Sequence, residues 1–212
     1  MTPAEIAAAL ATYPWREVPA LPGRTNHLRA GVCVPLRWED GALRCVLTLR
    51  PRSLGRHGGE VSFPGGRPEG GESLEETATR ECHEEIGLAP REVLGRLSSM
   101  PIYTSDWRLE PFVARIEGAP RGQEGEVEEV LELDVSRLLR DRTVEVVEVV
   151  GRGQTFAMPI FRPGEYVMFG ATALTFAELL GVLSRGEALR PVPSRLRWED
   201  ILAAGARASI SG

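Results

Sequence analysis

Apolar and polar positions along the chain predict short strands that alternate irregularly with helices. Residues 27–36 and 43–49 are mainly apolar and flank the turn Glu39-Asp40-Gly41, which predicts a β-hairpin. Further strands are predicted at residues 93–100, 109–116, 126–133, 143–150, 154–161 and 166–169. Helices are predicted at residues 2–12, 74–86, 135–140, 172–183 and 196–206, with Pro191 and Pro193 as breakers before the last. This order predicts an α/β (α+β) fold, in which a mixed β-sheet carries helices on both faces.

Length and charge exclude several classes of protein. The chain has 212 residues, enough for one buried core, so we expect a single domain. A net charge of −5 predicts no broad basic surface for nucleic acid. No apolar run reaches the roughly 20 residues of a membrane span, and the N-terminus does not resemble a secretion signal. Three scattered cysteines favour a reducing compartment, so we expect a cytoplasmic protein.

The helix predicted at residues 74–86 carries an unusual acidic face. Glu81, Glu84 and Glu85 are spaced i, i+3 and i+4, which places three carboxylates on one side of a helix. Like charges this close repel one another unless a cation lies among them. Oxygen ligands suit Mg²⁺ or Mn²⁺, ions that act as Lewis acids at phosphates and activate water.

The residues before this helix support the same interpretation. Ser73 and Glu76 form a capping-box pattern that predicts where the helix begins. Gly66 allows a tight turn that brings a backbone carbonyl close to a bound ion. Glu72 and Arg80 are expected to form an ion pair that holds this loop against the helix.

A basic loop precedes the acidic helix. It extends over residues 50–59 and contains Arg50, Arg52, Arg56 and His57. A solvated turn would have a similar composition, but its place just before the acidic helix favours anion binding. We therefore expect Arg50, Arg56 and His57 to bind substrate phosphates.

Residues 66–88, GRPEGGESLEETATRECHEEIGL, resemble the Nudix box of the Nudix hydrolases. The fixed positions of that pattern are all filled, by Gly66, Glu72, Arg80, Glu81, Glu84, Glu85 and Gly87. The resemblance implies an αβα sandwich and a catalytic centre at Glu81, Glu84 and Glu85. These side chains, with Gly66, would hold the metal ion. A further acid outside the box assists in many Nudix enzymes, and Glu124, Glu126 and Glu129 are the candidates.

Other stretches look like those of coenzyme A diphosphatases. They are residues 29–36, the run Arg56-His57-Gly58-Gly59-Glu60-Val61-Ser62-Phe63-Pro64-Gly65-Gly66, and residues 168–173. Pro51 and the position of Arg56 differ from that group's motif. This likeness implies hydrolysis of coenzyme A, a small nucleotide substrate, to 3′,5′-ADP and 4′-phosphopantetheine.

Two alternatives stay open from the sequence. One is a Nudix hydrolase of ADP-ribose, nucleotide sugars or nucleoside triphosphates, and the other is a non-catalytic nucleotide-binding module. A Nudix core is expected over residues 27–184, preceded by an N-terminal helix and loop (1–26) and followed by a C-terminal extension (185–212). A homodimer is left open.

Overall fold

A computed structural model describes residues 1–53, 57–151 and 153–207 of the chain. The helices are α1 (Pro3–Thr12), α2 (Leu74–Ile86), α3 (Val135–Asp141), α4 (Gly170–Leu183) and α5 (Trp198–Ala204), followed by a 3₁₀ turn (Gly205–Arg207). The strands are β1 (Leu28–Glu39), β2 (Ala42–Leu49), β3 (Val61–Ser62), β4 (Gly65–Gly66), β5 (Glu92–Arg96), β6 (Met100–Pro101), β7 (Trp107–Arg115), β8 (Glu129–Asp134), β9 (Thr143–Gly151), β10 (Gln154–Ile160) and β11 (Arg190–Pro193). Within the described ranges, none of the helices combines the length and apolar character needed to cross a membrane.

The larger sheet is mixed, as the sequence predicts. Its strands follow the order β3-β2-β1-β7-β5, while β8 pairs with β2, β4 with β1 and β6 with β7. Strands β1 and β7 are parallel to each other, and the other strand pairs named here are antiparallel. Helix α2 packs on one face through Ala78, Cys82 and Ile86, whereas α1 and α4 cover the other face. The predicted α+β class with helices on both faces is therefore confirmed.

Local sequence signals fix where α2 begins and ends. Ser73 Oγ accepts a hydrogen bond from Glu76 N–H at 3.2 Å, and the Glu76 carboxylate accepts one from Ser73 N–H at 2.8 Å. The helix ends at Gly87, whose φ of 71° is the left-handed conformation that glycine adopts without strain. These two caps hold the acidic face in a defined register.

A smaller sheet, β10-β9-β11, contains a strand that the sequence did not predict. Pro191 and Pro193 do not break the chain but lie in β11, parallel to β9. Arg190 N–H donates to Arg142 O, and Ser194 N–H donates to Val146 O. Pro191 and Pro193 lie between these two donors, at alternate positions of the strand. An edge strand tolerates this spacing because the missing N–H groups fall on its unpaired side.

Two predicted strands need correction. Residues 166–169 do not form a strand: Met168 makes an isolated bridge with Phe161, while Val167 N–H donates instead to Ala206 O at 2.7 Å. Strand β8 begins at Glu129 rather than at Glu126. Glu126 N–H bonds Gln123 O within a turn, so its backbone is not available to the sheet.

Candidate active site

Glu85 is the most buried carboxylate of the acidic face. It lies in the last turn of α2 with 6% of its surface exposed. Thr48 Oγ1 donates to one carboxylate oxygen and Gly65 N–H to the other, each at 3.3 Å. Burial raises the pKa of Glu85 to about 7, because two long hydrogen bonds and the nearby charge of Arg50 only partly replace water. The ionised form is therefore costly in the absence of a further cation.

Glu81 lies against the glycine turn that precedes the helix. A Cβ on Gly66 would stand 2.1 Å from Glu81 Oε1, so a larger residue here would displace the Glu81 carboxylate. Burial raises the pKa of Glu81, and repulsion from Glu84 and Glu126 acts in the same direction, against the attraction of Arg80. The backbone at Gly66 and the Glu81 carboxylate thus meet directly, in the place where the sequence predicts a metal ion.

Arg80 contacts more of the site than the sequence indicated. Its guanidinium pairs with Glu72 through two contacts, Nε to Oε1 at 2.8 Å and Nη2 to Oε2 at 3.2 Å. This pairing lowers the pKa of Glu72 to about 2. Nη1 also donates to Glu81 at 3.0 Å and to Glu84 at 2.7 Å. Arg80 therefore pairs with two carboxylates of the acidic face, Glu81 and Glu84, as well as with Glu72 in the preceding loop.

This role of Arg80 leads to a stability prediction. Arg80→Ala removes the guanidinium that joins Glu72 to the helix and leaves Glu81 and Glu84 facing each other as like charges. We expect a lower melting temperature in EDTA, measured by circular dichroism. Arg137→Ala, which removes an exposed i, i+4 pair with Asp141, should change it little. Equal melting temperatures for the Arg80→Ala and Arg137→Ala variants would contradict a structural role for Arg80.

The donor chemistry of this face fits a hard divalent cation. Glu81, Glu84 and Glu85 offer only oxygen, and burial with mutual repulsion raises the pKa of Glu81 and Glu85. In the part of the chain that the structure describes, no three His, Cys, Asp or Glu side chains are placed so that they could share one metal ion. Arg80 holds two of the three carboxylates, Glu81 and Glu84, through hydrogen bonds.

The basic loop is fastened to the end of β2 at Arg50. Arg50 N–H donates to Glu60 O at 3.0 Å, and Gly59 N–H donates to Arg50 O at 2.9 Å. Arg50 Nε is buried and has no hydrogen-bond partner among the described residues. His57 lies with Nδ1 3.1 Å from Glu60 Oε2. Arg56 lies outside the described residues.

The structure separates the three candidates for an additional acid. Glu126 is close enough that its charge raises the pKa of Glu81. Glu129 instead accepts a hydrogen bond from the Tyr166 hydroxyl at 2.7 Å. No described contact links Glu124 to the acidic face. Of the three candidates, Glu126 is therefore the one whose charge acts on Glu81.

Comparison with known proteins identifies the family of the chain. The NUDIX domain family model matches residues 27–150, more than half of the chain. "Nudix hydrolase 15, mitochondrial" of Arabidopsis thaliana is 34% identical over 72% of this chain, which spans only 57% of that relative's length. The mitochondrial coenzyme A diphosphatase NUDT8 of Mus musculus is 33% identical over 77% of this chain and 81% of its own. The peroxisomal coenzyme A diphosphatase ndx-8 of Caenorhabditis elegans is 32% identical over 68% of this chain and 64% of its own length.

These relatives also correct one expectation. Their names place them in mitochondria or peroxisomes, which contradicts the cytoplasmic location that we inferred from the cysteines. Buried thiols are inert in many surroundings, so three of them are weak evidence about a compartment. The extent of the family match and of the aligned relatives decides the classification. The chain belongs to the Nudix family, and its relatives include coenzyme A diphosphatases.

Proposed function

We propose that the protein hydrolyses the diphosphate bond of coenzyme A, giving 3′,5′-ADP and 4′-phosphopantetheine, with Mg²⁺ or Mn²⁺ as cofactor. The observation that carries this proposal is the position of Arg50 beside Glu85. The charge of this arginine acts on the Glu85 carboxylate, and its Nε is buried without a partner in the described chain. A phosphate bound to this guanidinium would lie next to the acidic face. The names of two relatives, both coenzyme A diphosphatases, support the choice of substrate.

Each residue of the site has a separate task in this proposal. Glu81, Glu84 and Glu85, with the backbone of Gly66, hold the metal ion. When bound, the ion supplies neutralising charge for the diphosphate and lowers the pKa of water. Arg50 and Arg56 bind phosphate oxygens, for which a planar guanidinium is well suited, and His57 lies in the same loop. Water attacks one phosphorus, and the other phosphate leaves with its bond electrons.

Three further residues complete the site. Arg80 and Glu72 fix the loop to α2 and take no direct part in the attack on phosphorus. Glu126 is the acid that we propose to assist the box, because its charge acts on Glu81 whereas Glu129 is bonded to Tyr166. A Glu126→Gln variant should therefore lose more activity than a Glu129→Gln variant.

The 3′-phosphate of coenzyme A gives a test of the substrate. Arg50, Arg52 and Arg56 supply three cations in one loop, more than a plain diphosphate requires. A charge-assisted contact is worth about 1.5–3 kcal/mol, so loss of the 3′-phosphate should lower kcat/KM roughly tenfold to a hundredfold. The measurement compares coenzyme A with 3′-dephospho-coenzyme A and with ADP-ribose, on wild type and on Arg56→Ala.

The Arg56→Ala variant tests whether a preference for coenzyme A over its 3′-dephospho form depends on this arginine. Arg56→Ala should reduce the preference for coenzyme A over its 3′-dephospho form. Equal efficiency of the wild type on all three substrates would contradict the proposal and leave a general hydrolase of nucleoside diphosphate derivatives.

A further inference from the structure

The 3₁₀ turn at Gly205–Arg207 lies outside the family match at residues 27–150 and yet contacts the loop around the site. Ala206 is fully buried. Its N–H donates to Gly59 O at 3.2 Å, and its carbonyl accepts from Val167 N–H at 2.7 Å. The turn therefore joins the basic loop to the segment just before α4.

Arg207 makes a second connection from the same turn. Its Nη2 donates to Glu128 Oε1 at 2.9 Å, and its guanidinium carbon lies 6.0 Å from the centre of the Tyr166 ring. The Tyr166 hydroxyl donates to Glu129 at 2.7 Å. Arg207 thus holds Glu128, the residue just before β8 and two residues after Glu126.

The two connections lead to the backbones of the adjacent residues Leu49 and Arg50, at the end of β2. Gly59 N–H donates to Arg50 O, and Glu128 N–H donates to Leu49 O at 2.8 Å. The turn therefore binds the two segments that flank the end of β2, one through Ala206 and the other through Arg207. Arg50 lies between these two segments.

We propose that the C-terminal turn positions Arg50, so that Ala206 and Arg207 are positioning residues for phosphate binding. This inference rests on the proposed role of Arg50. Because the turn touches no reacting group, its loss should weaken substrate binding more than it slows the chemical step. The effect should also disappear once the Arg50 guanidinium is absent.

A double-mutant cycle tests this dependence. Ala206→Pro removes the N–H that reaches Gly59, and Arg207→Ala removes the contact with Glu128. Arg50→Ala should raise KM for coenzyme A about tenfold, as expected for one charge-assisted contact. Ala206→Pro and Arg207→Ala should each raise KM roughly threefold or more with kcat nearly unchanged. In the Arg50→Ala background each should add less than about twofold. Arg197→Ala, which breaks only an exposed pair with Asp200, is the matched control.

Hydrogen exchange gives a readout that does not depend on the substrate. Ala206→Pro should speed exchange of the amides of Arg50 and Gly59, which the turn holds in place. If Arg50→Ala leaves KM unchanged, the proposed function of Arg50 fails. If Arg50→Ala raises KM but the turn variants do not, or if their effects on KM simply multiply, the inference about the turn is overturned. Unchanged exchange at both amides overturns it for any substrate. If Ala206→Pro does not fold, Arg207→Ala decides by the same criteria.

Discussion

Glu85→Gln is expected to lower kcat by on the order of a hundredfold or more at saturating Mg²⁺. The amide keeps the shape of the side chain and can still accept from Gly65 N–H, but it removes the negative charge that the metal requires. Loss of one charged ligand commonly costs several kcal/mol of transition-state stabilisation. The measurement is kcat for coenzyme A over a range of Mg²⁺ concentrations.

Glu75→Gln is the matched control for this prediction. Glu75 lies on the same helix, in its first turn, and is exposed, so the same chemical change there should leave kcat within about twofold. Near-normal turnover of the Glu85→Gln variant would show that Glu85 is not part of the catalytic centre.

The same substitution should stabilise the protein at alkaline pH. The pKa of Glu85 is about 7 in the folded chain against an ordinary value of 4.5, so between these values the folded state holds a proton that the unfolded state has released. The free energy of unfolding therefore falls as pH rises through this window and stays low above it. At 1.36 kcal/mol per pKa unit the loss approaches about 3 kcal/mol. Glu85→Gln avoids it because an amide has no charge to bury.

Urea denaturation in EDTA at pH 5 and pH 8 measures this effect. The wild type should lose up to about 3 kcal/mol more than the Glu85→Gln variant between the two values, and the variant should be the more stable protein at pH 8. A parallel pH dependence of the two proteins would show that Glu85 ionises in the folded state as easily as in water.

The Glu85→Gln variant is thus expected to lose activity and to gain stability at pH 8. A carboxylate whose removal stabilises the fold but abolishes turnover is retained for binding a cation, not for holding the structure. The raised pKa and the burial of Glu85 are the physical basis of this expectation.

Most of the correct sequence predictions came from patterns of residues that lie close together in the chain. The capping box of α2 and the turn between β1 and β2 involve residues three positions apart, so the chain itself displays them. The mixed sheet followed from the irregular order of elements. The acidic face and the partnership of Glu72 with Arg80 also lie within one short stretch.

Contacts between distant segments could not be predicted in this way. Thr48, which bonds Glu85, belongs to β2 and has no distinctive sequence context. The reach of Arg80 to Glu81 and Glu84 depends on side-chain conformation. Strand β11 and the contact of Ala206 with Gly59 depend on how remote parts of the chain meet. These tertiary contacts determine the surroundings of Glu85 and Arg50.

Product analysis tests the central claim most directly. The purified full chain is incubated with coenzyme A and Mg²⁺, or with EDTA, and the products are identified by chromatography and mass spectrometry. We predict equal amounts of 3′,5′-ADP and 4′-phosphopantetheine with Mg²⁺, neither product in EDTA, and far less of both with the Glu85→Gln variant. Intact coenzyme A with Mg²⁺, under conditions in which ADP-ribose is cleaved, would contradict the proposed substrate.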